Sequence, residues 1–151
     1  MLPEVLTVVA TTGAGVTAGV LFCVAISLVP GFLALPAASY VEAHKLFGRY
    51  FDRVMPPLVV ATTICTVILA VVKGSGAARP LFVAAAVCLF GVSLISQFGN
   101  VPINREVKRL TPERIAAGWT DTRKRWRDWH VARTALAVSA LVLLGAAGTA
   151  G

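Results

Sequence analysis

The chain has 151 residues, of which 57% are hydrophobic and 14% are charged, and its mean hydropathy is +0.79. That hydropathy is far above what a soluble domain of this length needs for its core, so the composition indicates an integral membrane protein. A net charge of +7 would suggest nucleic acid if the chain were soluble. Here the basic residues flank apolar stretches, so we expect anionic membrane lipid as the partner and no nucleic acid.

Four apolar stretches are long enough to cross a bilayer as helices. The sequence therefore predicts an all-α integral membrane protein, a four-helix bundle in a single domain over residues 1–151. The first stretch has no basic residues before it, so we interpret it as a retained span rather than a cleaved signal peptide. The predicted spans are residues 5–29, 55–72, 80–98 and 130–147.

Prolines, glycines and polar residues separate the predicted spans. Pro30, Gly31 and Pro36 are expected to end the first helix, and a polar segment with helical spacing follows at residues 37–54. Pro56 and Pro57 either begin a new helix or kink a continuous one, and the sequence does not decide between the two. Spacing of the small-xxx-small type at Gly15 and Gly19 predicts close helix packing in the first span, although glycine is also common in membrane helices.

Two features mark the second half of the chain. The run Gly-Asn-Val-Pro-Ile-Asn at residues 99–104 predicts a polar break at the end of the third helix. Thr111, Pro112 and Glu113 are typical of an N-cap, a first-turn proline and a first-turn acid. They predict a basic helix that leads into the fourth span.

Basic residues are concentrated at one end of the predicted bundle. Four spans put both termini on one side, and the first and third connections, on the other side, carry most of the lysines and arginines. The positive-inside rule then places these connections in the cytoplasm and both termini outside, in an inner or plasma membrane.

Polar side chains that are costly in a bilayer fall near this same basic end. Because they come from three regions of sequence that a bundle would bring to one depth, we expect them to line a pocket. The predicted ligand-binding residues are Tyr40, Trp126, Arg133 and Arg49. The ring of Trp126 and the guanidinium of Arg133 share one helix face, which suits a flat, aromatic, anionic ligand. The full set is Tyr40, Glu42, His44, Arg49, Asp52, Asn100, Asn104, Trp126, His130 and Arg133.

His44 and His130 are the two histidines of the chain, and either could act as a general base or acid near neutral pH. Asn100 and Asn104 could stabilise a developing oxyanion with their amides. Each histidine could instead only cap or hydrogen-bond a helix end, while Asn100 could merely end the third helix and Asn104 hydrogen-bond the loop. A transition metal held by His44, His130 and Glu42 is a further alternative, although these residues match no fixed ligand spacing.

Asn-x-Pro-Ile-Asn at positions 100–104, together with Trp-x3-His-x2-Arg at positions 126–133, resembles the anthrone oxygenase-like family of small four-span membrane proteins. The resemblance implies oxidation of an anthrone to an anthraquinone in aromatic polyketide pathways, with O2 as co-substrate and no cofactor. It implies that His44 or His130 removes a carbon-bound proton, and that Asn100, Asn104 or Arg133 stabilises the phenolate.

Two other functions compete with an enzyme. A transport or lipid-binding bundle, acting as a homo-oligomer, would also be small and apolar, but such exporters use an acidic residue in the membrane core, and these spans have none. A structural membrane subunit, whose basic face binds lipid or a partner, would fit the unremarkable spans as well.

Overall fold

Four long helices dominate a computed structural model that describes residues 2–73 and 76–150. They are α1 (Leu2–Ala34), α2 (Ala37–Val72), α3 (Ala78–Lys108) and α5 (Arg123–Thr149), and a short helix α4 (Pro112–Ala116) lies before α5. Each long helix has the length and apolar composition needed to cross a membrane, and no strand occurs in the described residues. The predicted all-α membrane bundle is thus confirmed.

Each long helix packs against the next one in sequence, and α5 closes the bundle by packing against α1. At the end that carries the chain termini the core consists of small residues such as Ala10, Ala14 and Ala85 around Phe82 and Leu144. Large apolar side chains cover the outer surface instead, as expected for a bundle whose solvent is lipid. The opposite end contains larger aromatic side chains. Buried polar side chains that hydrogen-bond to another helix, such as Asn100 and His130, also lie there.

The end of α1 differs from the prediction. Pro30 and Gly31 do not end the helix, which continues to Ala34 through a π turn at Val24–Leu28. Pro30 lies in the first turn after that π turn, where a missing N–H is tolerated. The helix ends where Leu35 and Pro36 take extended conformations, with ψ of 147° and 150°.

The polar break predicted at residues 99–104 is likewise wrong. Helix α3 runs through it to Lys108, with a second π turn at Ser96–Asn100 and Pro102 in the first turn that follows. The same arrangement, a π turn followed at once by proline, therefore keeps both α1 and α3 helical across residues that usually break helices.

Helix α2 joins the predicted polar segment and the second predicted span into one element. Pro56 and Pro57 lie inside it, so the continuous alternative is the one observed. Between His44 and Val59 no described residue of α2 is buried. This middle part of α2 stands away from the bundle centre, and a gap in the core lies beneath it.

The predicted basic helix is two helices. Thr111 caps α4 as expected, because its Oγ1 accepts a hydrogen bond from the Arg114 N–H at 3.5 Å. Gly118, with φ of +104°, follows the end of α4 and takes a left-handed conformation that suits glycine. Helix α5 then begins at Arg123, so its basic first turns do continue into the fourth span, whereas Trp119 lies outside it.

The side chain of Arg123 is largely buried and connects two elements. Its Nη1 donates to the carbonyls of Phe32 at 2.8 Å and Leu35 at 2.6 Å, two acceptors at the end of α1. Its Nε donates to Asp121 at 2.8 Å, and these hydrogen bonds hold the pKa of the Asp121 carboxyl below its ordinary value. The guanidinium thus fixes the end of α1 against the start of α5.

Close packing in α1 is made by Gly13 rather than by the predicted Gly15 and Gly19 pair. A Cβ on Gly13 would overlap the Thr62 Oγ1 of α2, whereas one on Gly19 would meet nothing within 4 Å. The Thr62 hydroxyl is itself fixed by a 2.8 Å hydrogen bond to the Leu58 carbonyl. Gly13 therefore sets the distance between α1 and α2.

We predict that Gly13→Ala lowers the stability of the bundle by about 1–3 kcal/mol, because the added methyl overpacks the contact with Thr62. Thermal unfolding in detergent measures this change. Gly19→Ala is the matched control, since it adds the same methyl to the same helix in open space. Equal unfolding temperatures for the two variants would contradict the assignment.

Candidate functional site

A cavity of about 170 Å³ lies under the middle of α2, at the end of the bundle where the first and third connections run. All four long helices line it. Most of the wall is apolar, and Phe47, Phe51 and Val60 on this wall are also exposed on the outer surface, so the cavity opens on the side of the bundle. The polar side chains of the wall are His44, Asp52, Ser93, Ser96, Gln97, Asn104, His130 and Arg133.

Aromatic rings form one side of the cavity. Phe32, near the end of α1, lies with its ring centroid 5.7 Å from His44 and 5.9 Å from Trp126. Trp126 in turn stands between the two histidines, edge-on to His44 at 5.6 Å and stacked on His130 at 5.3 Å. Such a wall suits a flat aromatic ligand, because rings pack well in offset and edge-to-face arrangements.

His44 lies on α2 with only 4% of its surface exposed. Its Nδ1 atom is buried and has no hydrogen-bond partner within the described part of the chain. The side chain of Asn104 lies beside the ring, and both residues face the cavity. A neutral imidazole in the cavity wall is able to accept a proton from a ligand bound there.

His130 lies in a different environment, although it lines the same cavity. It is fully buried, and its Nε2 lies 2.9 Å from the Leu21 carbonyl, which can only accept a hydrogen bond. Its Nδ1 is therefore the unprotonated nitrogen of the neutral ring, and it accepts from Arg133 at 3.2 Å and 2.8 Å. Both nitrogens of His130 thus have partners.

Arg133 brings a positive charge into the cavity wall. Its Nη1 donates to the Ser96 Oγ at 3.2 Å, and no carboxylate of the described residues lies within ion-pair distance of it. The acidic residue of the wall, Asp52, is paired with Lys108 instead. A guanidinium without a carboxylate partner favours the binding of an anion.

The two asparagines have different surroundings. Asn104 lines the cavity, and its Oδ1 accepts a 2.9 Å hydrogen bond from the Trp126 indole, so its amide N–H groups are the ones that can donate to a ligand. Asn100 is fully buried outside the cavity wall and donates to the Trp126 carbonyl at 3.1 Å. That contact ties α3 to α5 at the π turn of α3.

Of the predicted polar residues, the structure brings six to one cavity, namely His44, Asp52, Asn104, Trp126, His130 and Arg133. Besides Asn100, three other predicted residues lie elsewhere. Tyr40 is buried behind the aromatic wall, stacked on Trp119 at 6.0 Å, and Glu42 and Arg49 are exposed on other faces of α2.

The alternative metal site does not converge. Trp126 lies between the rings of His44 and His130, and Glu42 is exposed whereas both histidines are buried. In the described ranges, no group of three or more histidine, cysteine, aspartate or glutamate residues has the arrangement of a metal site.

Sequence reasoning missed Phe32, Ser96 and Gln97. Ser96 precedes Asn100 by four positions and Asn104 by eight, so a helical stripe through the predicted break could have indicated it. Phe32 carried no signal, because its position depends on α1 continuing past Pro30. The two π turns lie beside the cavity, where this irregularity of helices frequently occurs.

We predict that Asn100→Leu lowers the stability by about 1–3 kcal/mol, because it removes the bond to the Trp126 carbonyl inside the bundle. The control is Gln97→Leu, a change of the same type at an exposed position one turn earlier on α3. Thermal unfolding in detergent compares the two. A smaller loss for Asn100→Leu than for Gln97→Leu would refute the structural role.

A family model described as anthrone oxygenase matches residues 43–143, well over half of the chain. The matched range includes His44, Asn104 and the Trp126, His130 and Arg133 group of α5. No curated protein and no solved structure matches the chain. The chain therefore belongs to the anthrone oxygenase family.

Proposed function

We propose that this protein is a membrane-embedded oxygenase that converts a flat, hydrophobic, anthrone-type molecule to the corresponding quinone with O2. One observation carries the proposal: the imidazole of His44, with a buried Nδ1 that has no partner, and the guanidinium of Arg133, which has no carboxylate partner, belong to residues that line the same apolar cavity. A base and a fixed positive charge are the two groups that formation of a stabilised carbanion requires.

The first step is proton removal from carbon. His44 accepts one proton of the central CH2 group of the anthrone, and the electron pair moves onto the carbonyl oxygen to give a phenolate. Arg133 and the Asn104 amide stabilise the negative charge on that oxygen. The aromatic wall formed by Phe32 and Trp126 holds the rings of the substrate flat.

The second step is the reaction of this electron-rich anion with O2. A carbon–oxygen bond forms, the O2 unit is reduced to a peroxide, and the His44 proton moves to it, giving a hydroperoxide. His44 then removes the remaining proton on the same carbon, the O–O bond breaks, and hydroxide leaves and is protonated to water. One oxygen atom ends in the quinone and the other in water, so no external reductant or cofactor is required.

The substrate would reach the cavity from the bilayer. The opening beside Phe47, Phe51 and Val60 faces the lipid side of the bundle, which fits a substrate that dissolves in membranes. The basic connections at the same end are proposed to face the cytoplasm, with both termini outside, by the positive-inside rule. Anionic lipid would then surround the basic residues near the site.

We predict that His44→Ala lowers kcat for anthrone oxidation by about 10²–10⁴-fold, because it removes the base. The measurement is O2 uptake together with quinone absorbance, with purified protein in lipid nanodiscs. Binding of the quinone product should change much less than kcat. The control is Glu42→Gln, which alters an exposed polar residue of the same helix outside the cavity.

Two results would contradict this assignment. Turnover by His44→Ala at the rate of the unaltered protein would exclude His44 as the base. If the unaltered protein gives no quinone but moves the anthrone across a sealed vesicle, the protein is a transporter.

A further inference from the structure

We infer that His130 is a positioning residue, which holds the Arg133 guanidinium in place to bind an oxyanion, and does not carry protons itself. This inference deepens the proposed function and rests on it for the nature of the ligand. The contacts of the two side chains with each other, with Leu21 and with Ser96 carry it.

Hydrogen bonding fixes the form of the His130 ring. The Leu21 carbonyl requires an N–H at Nε2, so Nδ1 has only its lone pair, which Arg133 already occupies with two N–H groups. Protonation of Nδ1 would place an N–H against N–H groups and a second positive charge beside the first. His130 would therefore lose its contact with Arg133 if it served as the base.

A neutral hydrogen-bond acceptor can orient Arg133 without neutralising its positive charge. A carboxylate partner would orient the guanidinium but would also neutralise its charge and weaken its attraction for an anionic ligand. The imidazole lone pair orients the guanidinium without neutralising its charge. The lack of an ion-pair partner among the described residues is consistent with this role.

This arrangement adjoins both π turns. The Leu21 carbonyl, which fixes His130, precedes the π turn of α1, and Ser96, which accepts from Arg133, begins the π turn of α3. The stacked Trp126 ring restrains the His130 plane from one side. Three helices thus determine the direction of one guanidinium.

The test uses two ligands that differ in one charge. 2-Hydroxyanthraquinone ionises to a coloured phenolate, whereas 2-methoxyanthraquinone has nearly the same shape and cannot ionise. Affinity for each is measured by titration of the protein in nanodiscs, and the visible spectrum reports how much of the bound phenol is ionised. No turnover is needed.

His130→Phe should weaken binding of the hydroxy ligand by about tenfold or more and leave the methoxy ligand nearly unchanged, because one charge-assisted contact becomes poorly oriented. The spectrum of the bound hydroxy ligand should shift toward the neutral phenol. Thr134→Val is the matched control, because Thr134 is buried on the same helix and also donates to the Leu21 carbonyl, at 3.4 Å, without contacting Arg133. It should change neither ligand.

Two polar variants keep the test decisive if His130→Phe does not fold. His130→Asn retains an acceptor near the position of Nδ1 and should stay within about threefold of the original affinity, whereas His130→Gln retains the donor toward Leu21 and should behave like His130→Phe. In an Arg133→Met background, the His130 variants should no longer change the preference for the charged ligand.

Equal loss of both ligands in His130→Phe and His130→Gln, or no loss of either, would overturn the inference. The pH dependence of turnover gives a second check, because it shows the ionisation of the general base. If that ionisation disappears in His130→Asn but persists in His44→Ala, His130 is the base and the inference is overturned. Absence of anthrone turnover by the original protein, with the charge preference intact, would refute the oxygenase function alone. Failure of the original protein to bind either ligand would refute both.

Discussion

Backbone hydrogen bonding in lipid is the constraint on which the rest of the structure depends. A bilayer offers no water to unpaired N–H and C=O groups, so the chain crosses it as helices. Every departure from regular α-helical bonding must then be satisfied by the protein itself. Here the main departures, the π turns at Val24–Leu28 and Ser96–Asn100 and the pair Pro56 and Pro57, occur beside one cavity. Functional groups meet where the helices are least regular.

Trp126 connects two helices beside this cavity. Its indole donates to Asn104, its backbone carbonyl accepts from Asn100, and its ring separates the two histidines. The same residue therefore connects α3 to α5 and forms one wall of the cavity. This separation gives the histidines different surroundings: His44 keeps a nitrogen without a partner, while both nitrogens of His130 are occupied.

The sequence was sufficient to predict the bundle, its basic end and six residues of the cavity wall, because hydropathy and helical spacing act locally. It failed at residues 30–34 and 99–104, since proline after a π turn looks like a helix end in sequence. The sequence also could not show that Asn100 and Asn104 have different roles. Their different roles follow from the position of Trp126 on another helix, and such a contact leaves no mark in the spacing of one segment.

Because the cavity opens on the side of the bundle, the reference state for ligand affinity is the bilayer rather than water. A solute that leaves a bilayer for the cavity exchanges one apolar environment for another, so burial of its rings contributes far less than it would from water. Discrimination between ligands of similar shape then depends on the few polar groups of the wall. Trimming an aliphatic wall residue such as Val59 or Val92 should matter less than in a water-filled active site, and a membrane concentration is the proper scale for ligand dissociation.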